Sequence, residues 1–293
     1  MIVVTGALGH IGSRLVRELP DVVMVDNLRT QAYYSLFNLK HEFIQADIME
    51  TDLSSIFKGA DVVIHLAAIV DPENSYKMEE EVNRVNAEGT RKVAEACINV
   101  GCPIIFASTT SVYGTQDEEV DETCAYLKPQ SPYAKSKIDA ENILHSLGEE
   151  GLRYTIFRMG TIFGTSPGMR FHTAVNKFCF QSAMGQPITV WRTALNQNRP
   201  YLDLSDMIRA VKFIVENRIY SNQTYNLVTI NTTVGHIIEI IKQVIPDLSI
   251  NYVDSRIMSQ LSYTISNKKF KELGFEFNGN IARGIEKTLE LLT

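Results

Sequence analysis

Short apolar runs alternate with amphipathic stretches through the first half of the chain. Ile2–Thr5, Val22–Asp26, Glu42–Gln45, Val62–Leu66 and Ile104–Ala107 read as strands. Near-continuous apolar runs of this length suit parallel strands covered on both faces. Between them, Ile11–Leu19, Met78–Val100 and Tyr133–Leu147 repeat apolar residues at helical spacing, the second stopping before Gly101. This alternation predicts an α/β chain with a doubly wound parallel sheet and right-handed crossovers.

After Gly164 the texture changes. Residues 165–198 carry Pro167, Gly168, Gly185, Pro187 and several Asn and Gln, without clean strand–helix alternation. Leu204–Asn217 returns as an amphipathic helix, Thr224–Val228 as a strand, and Thr233–Val244 and Ala282–Leu292 as helices. The expected division is a dinucleotide-binding Rossmann domain from 1–164 and 199–229, beside a smaller, mainly helical substrate-binding lobe from 165–198 and 230–293. No repeat or flexible linker intervenes, so the site is expected between two tightly joined lobes.

Composition narrows the function without naming it. With 45% hydrophobic residues among 293, a substantial core is available. The formal net charge of −6 lacks the basic excess of a nucleic-acid binder. Four cysteines show no Cys-x-x-Cys pair and six histidines no His-x-x-x-His pair, so ordinary buried residues are expected rather than disulfides or a metal site. No apolar run approaches the roughly 20 residues that span a bilayer, and no cleavable leader is seen, which predicts a cytoplasmic protein that does not engage membranes.

Gly6, Gly9 and Gly12 lie between the first strand and the first helix, in Thr5-Gly-Ala-Leu-Gly-His-Ile-Gly12. Gly6 lets the chain turn off the strand, Gly9 lets backbone approach a pyrophosphate, and Gly12 lets the helix pack close to the sheet. His10 and Ile11 would offer backbone N–H groups there. Asp26 closes the second strand, where a carboxylate can accept from both hydroxyls of an adenosine ribose and would repel a 2′-phosphate, which favours NAD over NADP. Asn27 accompanies it, and Arg29 nearby is the group a 2′-phosphate would want. Asp47 and Ile48, after the third strand, are placed to meet the adenine, a solvated turn being the other reading.

Tyr133 and Lys137 stand four residues apart near the start of a predicted helix, on one face of it. A free phenol is a poor base at neutral pH, and lowering its pKa by roughly three units asks for about 4 kcal/mol, which two close positive charges in a partly desolvated cleft can supply. Lys137 is one such charge and can also hold the nicotinamide ribose. Thr109, just past the fifth strand, offers a hydroxyl at the strand end, where such sheets bind ligands.

Taken together, these residues resemble the extended short-chain dehydrogenase/reductase family, in particular its NAD-dependent sugar epimerase/dehydratase branch. The resemblance runs through the three glycines, Val25-Asp26-Asn27-Leu28, His65-Leu66-Ala67-Ala68, Asn86-Ala87-Glu88-Gly89-Thr90, Ser108-Thr109 with Val112-Tyr113-Gly114, Tyr133 with Lys137, and Arg199-Pro200-Tyr201 followed by Asp206. It implies that Tyr133 is the acid–base group, Lys137 its electrostatic helper and Thr109 a third catalytic hydroxyl. Leu66, Ala67 and Ala68 would line the cofactor, and Asn86 would steady the cleft. Arg199 corresponds to an arginine used on the substrate pyrophosphate, a task that suits a guanidinium fork. Asn176 matches a position that meets the nucleotide or its phosphates, and Ser111 joins the expected substrate contacts. Arg170 either assists them or is a solvated loop arginine.

Two positions depart from the family pattern. Thr161 stands where relatives often have asparagine. Sugar 4,6-dehydratases carry an acidic pair after the catalytic threonine, where this chain has Thr110 and Ser111. The expected activity is therefore C4 epimerisation of a nucleotide-diphosphate sugar through a 4-keto intermediate. A one-way dehydrogenase or keto-sugar reductase is the alternative, and a non-catalytic NAD sensor on this fold is a third reading. Relatives dimerise through the counterparts of Met78–Val100 and Tyr133–Leu147, so a homodimer is expected.

Overall fold

A computed structural model describes residues 1–70, 75–254 and 262–293; positions 255–261 of the expected lobe stretch 230–293 lie outside the described residues. In chain order the first half comprises β1 (Ile2–Thr5), α1 (His10–Leu15), β2 (Val22–Asp26), β3 (Glu42–Gln45), α2 (Leu53–Phe57), β4 (Val62–His65), α3 (Glu79–Asn83), α4 (Gly89–Val100), β5 (Ile104–Thr109), β6 (Glu119–Val120) and α5 (Pro132–Glu149). The second half comprises β7 (Tyr154–Met159), β8 (Thr161–Phe163), α6 (Ala174–Ala183), β9 (Ile188–Trp191), β10 (Asn198–Asp203), α7 (Leu204–Asn217), β11 (Gln223–Leu227), β12 (Ile230–Thr233), α8 (Val234–Val244), β13 (Ile250–Val253), β14 (Thr264–Ile265), α9 (Lys268–Lys271) and α10 (Ile281–Leu292).

Seven parallel strands form the central sheet in the order β11-β7-β5-β4-β1-β2-β3. The order reverses between β1 and β4, which opens a crevice at the carboxyl ends of the strands. Both faces of β1, β4 and β5 are buried, as their unbroken apolar runs require. One core lies beneath α7 and the other beneath α2, α4 and α5.

A smaller core joins α6, α8 and α10. In α10, Ile281, Ile285 and Leu289 recur every four residues and bury one stripe while the opposite face stays polar. Strands β8, β10 and β12 form a separate three-stranded sheet, and β9 pairs with β13. Residues 199–203, expected in the dinucleotide domain, therefore pair outside the central sheet. The irregular texture of 165–198 concealed α6 and β9, because α6 buries the polar Asn176 and Ser182 among its apolar residues, which blurs the apolar period.

Two expected helices are also reshaped. The regular part of Ile11–Leu19 is His10–Leu15, with tighter turns after it. Met78–Val100 is interrupted by a wide π-type turn at Arg84–Glu88 before α4 resumes, ending at Gly101 with φ 75°. Such a wide turn costs hydrogen-bond geometry and is found mostly where a side chain must be re-aimed; here it carries Asn86.

Candidate active site

A cavity of about 460 Å³ opens along the carboxyl ends of the strands. At one end lies the glycine turn. Gly6 has φ +69°, and a Cβ on it would sit 2.6 Å from the Ala67 nitrogen. A Cβ at Gly12 would meet the Gly6 carbonyl at 2.4 Å, so both positions admit only glycine. Gly9 is different: only the Gly6 carbonyl approaches its Cβ direction, at 3.4 Å, which leaves that side of the turn open to a ligand. His10, Ile11, Leu66, Ala67 and Ala68 line the same end.

Asp26 lines the cavity at the end of β2. Its two carboxylate oxygens accept the Leu8 N–H at 3.0 Å and the Leu28 N–H at 2.9 Å, which fixes the group before any ligand arrives. Asn27, Asp47 and Ile48 also line this end. Asp47 accepts from the Asn27 amide at 2.9 Å and the Met49 N–H at 2.8 Å. Burial opposes its charge, yet these hydrogen bonds and the nearby Arg84 and Arg29 hold the carboxyl below its ordinary range.

At the other end Thr109, Ser111, Tyr133 and Lys137 face the cavity. Helix α5 places Tyr133 and Lys137 because Ser131 caps it, accepting the Ala134 N–H at 3.1 Å, with Pro132 in the first turn. Thr109 accepts the Ser111 N–H at 3.1 Å and donates to Ser111 Oγ at 3.2 Å, and its hydroxyl acts on the Tyr133 phenol. The electrostatics differ from the sequence expectation. Burial pushes Tyr133 up to about 12, outweighing the Thr109 hydroxyl and the positive Arg170. Lys137 does not act on the phenol as expected. Its Nζ donates to the Ala107 carbonyl at 2.8 Å and lies 4.7 Å from the Phe106 ring centre. Burial brings its pKa down to about 7, with Glu141 partly opposing.

A loop from the smaller lobe crosses the glycine turn. The Ser166 hydroxyl lies 2.7 Å from His10 Nδ1, and the Gly168 N–H donates to Ser13 Oγ at 2.8 Å. A Cβ at Gly168 would sit 2.3 Å from the Leu8 carbonyl. Arg170 lines the cavity and donates to the Val70 carbonyl at 2.6 Å. Burial, with His172 and the Arg170 guanidinium adding, lowers His10 to about 4. Its Nε2 finds no hydrogen-bond partner among the described residues.

Three expected site residues do not line the cavity. Asn86 accepts the Ile69 N–H at 2.8 Å and donates to the Ile69 carbonyl at 3.0 Å and Ser136 Oγ at 3.1 Å, bracing the loop after β4 against α5. Asn176 is buried on α6, its Oδ1 unpartnered among the described residues. Arg199, on β10, donates to Gln197 Oε1 at 3.4 Å and leaves its buried Nε unpartnered among the described residues.

Behind the Tyr133 end runs a network that sequence reading missed. Arg158 on β7 contacts both carboxylate oxygens of Glu141, with Nη2–Oε2 at 2.6 Å and Nε at 3.1 Å from each. Ser108, the register neighbour of Arg158 on β5, donates to the same carboxylate. Arg158 Nη1 donates to the Tyr113 hydroxyl at 2.9 Å, which donates to Asn226 at 2.8 Å. Two signals were available: Glu141 follows Lys137 by four residues, and Arg158 interrupts an apolar strand. Gly168 and Ser166 were seen only as loop texture.

The chain is similar to known proteins along most of its length. The sequence model of the NAD dependent epimerase/dehydratase family matches residues 2–227. An uncharacterised UDP-glucose epimerase of Bacillus subtilis is 30% identical over 77% of this chain and 76% of its own length. A trifunctional UDP-glucose 4,6-dehydratase/UDP-4-keto-6-deoxy-D-glucose 3,5-epimerase/UDP-4-keto-L-rhamnose-reductase of Arabidopsis thaliana is 29% identical over all of this chain, which spans about half (47%) of the plant protein's length. Among solved structures, the UDP-glucuronic acid 4-epimerase of Bacillus cereus, in complex with UDP-glucuronic acid and NAD, superposes with a TM-score of 0.88 at 25% identity, covering 99% of this chain and 98% of that one. With the glycine turn, the crevice at the strand reversal and the Thr109–Tyr133–Lys137 end all in one cavity, and a family model matching most of the chain, this protein belongs to the NAD dependent epimerase/dehydratase family.

Proposed function

We propose that this protein is a nucleotide-sugar 4-epimerase that keeps NAD bound through its cycle. The observation that carries the reading is one continuous cavity, which joins the glycine turn to Thr109, Tyr133 and Lys137 beneath the Ser166–Arg170 loop. The residues fit the cofactor: Gly9 leaves an open cradle for a pyrophosphate, Asp26 is a pre-set acceptor for a ribose diol, and His10 Nε2 lacks a partner. When bound, NAD supplies the hydride acceptor and donor that reaction at C4 requires.

The chain's own groups handle the proton and the substrate. The positive charge that oxidised NAD would bring lowers the Tyr133 phenol, so that Oη as the phenolate would take the C4 hydroxyl proton and later return it, with Thr109 holding the same sugar oxygen. Lys137, held at the Ala107 carbonyl in the same cavity, is placed to orient the ribose. Arg199 and Asn176 stand off the cavity wall with Nε and Oδ1 buried, so either would meet the substrate nucleotide only after the smaller lobe shifts. A 4,6-dehydratase, an activity in the plant relative's name, fits less well. Thr110 is buried and donates to the Met159 carbonyl at 3.2 Å, Ser111 is a hydroxyl, and neither is a carboxylic acid. The loop across the glycine turn favours retention of the cofactor over its exchange, and so an epimerase over a reductase.

The test is incubation with UDP-glucose, UDP-N-acetylglucosamine and their glucuronate counterparts without added reductant, with C4 configuration followed by proton NMR. Interconversion of C4 epimers with no net absorbance change at 340 nm is expected for at least one of them. Stoichiometric NADH release would move the assignment to a dehydrogenase.

A further inference from the structure

We infer that Glu81 is a cofactor-selectivity residue: by pairing with Arg29, it withholds the one guanidinium on the β2 loop that a 2′-phosphate on the adenosine ribose would engage. The inference rests on the reading above, that the glycine turn holds an adenine dinucleotide.

Arg29 follows β2 by three residues and lines the cavity together with Asp26. Its backbone is pinned, the N–H donating to Asn27 Oδ1 at 3.0 Å, and Asn27 is in turn tied to Asp47. Arg29 Nη1 pairs with Glu81 Oε1 at 2.6 Å, across to helix α3. The Arg29 hydrogen bond holds the Glu81 carboxyl below its ordinary range, with the charges of Arg29 and Arg84 adding to it. Arg84 lines the cavity as well, and its charge acts on Asp47 and Glu81. The adenosine rim thus sets Arg29 and Arg84 against Asp26, Asp47, Glu50 and Glu81, an excess of two negative charges.

A ribose diol needs only acceptors at this rim, and the fixed Asp26 carboxylate supplies them. A 2′-phosphate is a dianion. It would meet Asp26 directly, and would have to compete with Glu81 for the charge of Arg29. The Arg29–Glu81 pair is 45% and 39% exposed, so it is a solvent-screened contact that a stronger anion can break. Selectivity therefore has two parts: repulsion by Asp26, and the occupied guanidinium.

Calorimetry of NAD and NADP binding to the wild type and to Glu81→Gln, Asp26→Ser and the double variant separates them. Glu81→Gln is expected to leave the NAD dissociation constant unchanged and to tighten NADP about threefold, the scale of one exposed ion pair. In the Asp26→Ser background, where repulsion is gone, the same change should tighten NADP by roughly tenfold, because the freed guanidinium meets the phosphate unopposed. Adding Arg29→Gln should abolish both gains. Glu81 is exposed, so its variant should fold as the wild type does, and circular dichroism checks this. NADP affinity unmoved by Glu81→Gln in both backgrounds, or a gain that survives Arg29→Gln, overturns the inference. Failure of the wild type to bind NAD at all would count instead against the dinucleotide reading.

Discussion

Replacing Glu141 with leucine removes the single carboxylate on which Arg158, Ser108 and, more remotely, Lys137 depend. The pair is almost wholly enclosed, with side-chain exposures of 7% for Arg158 and 2% for Glu141. Its charge cannot be made up by water, so Glu141→Leu leaves an uncompensated buried guanidinium. Breaking a buried pair from one side costs about 3–5 kcal/mol. That is a large share of the roughly 5–15 kcal/mol that holds a typical domain folded. At about 2 °C per kcal/mol for a chain of this size, the melting temperature should fall by roughly 6–10 °C. Urea unfolding followed by circular dichroism measures the loss, and the companion variant Glu141→Leu/Arg158→Met decides its cause. With both charges gone, most of the stability should return, because an apolar pair of similar volume has no desolvation cost to offset. A single variant that loses under about 1 kcal/mol, or a double variant less stable than the single, would refute the reasoning. The functional consequence can be checked on the same samples. Glu141 ties α5 to the ends of β5 and β7, so the double variant should fold well yet turn over substrate more slowly than the wild type.

Three further outcomes are expected. Tyr133→Phe keeps the ring and deletes only the hydroxyl, so NAD binding measured by fluorescence should persist while turnover falls at least roughly 10²-fold; near-normal turnover would remove Tyr133 from the mechanism. Gly168→Ala places a methyl group against the Leu8 and Gly9 carbonyls and should lift the loop off the glycine turn, so NAD should dissociate faster in a chase with excess NAD analogue; an unchanged off-rate would mean the loop does not retain the cofactor. His65 is buried between Thr5 Oγ1 at 2.7 Å and Thr90 Oγ1 at 3.1 Å, and burial, with Lys137 adding, lowers its pKa to about 3. The unfolded chain therefore binds the extra proton between pH 6.5 and about 3, and stability should fall as pH drops through that window. Thermal melts of His65→Asn should show a shallower loss, and an identical slope would exclude His65 as the source.

Much of the fold was legible because buried parallel strands leave a simple trace: the runs at Ile2–Thr5 and Val22–Asp26 are apolar for local reasons and recur as β1 and β2. The glycine turn was legible for the same kind of reason, since Gly6 and Gly12 answer to steric limits within a few residues of themselves. Tyr133 and Lys137 could be placed together because helix geometry alone puts residues i and i+4 on one face. What lay beyond local geometry needed the tertiary structure. That Lys137 reaches the Ala107 carbonyl instead of the phenol, and that burial drives Tyr133 upward, depend on what β5 and the surrounding core exclude, and desolvation has no signature in a local run of residues. Gly168 and Ser166 looked like ordinary loop residues until packing brought them, more than 150 positions along the chain, against Ser13 and His10. Glu141, Arg158 and Ser108 each read locally as a helix or strand residue, and only the register of β5 beside β7 under α5 makes them one charged network. Local sterics and periodicity are written along the chain, whereas burial, charge compensation and contacts between distant segments exist only once the chain has closed on itself.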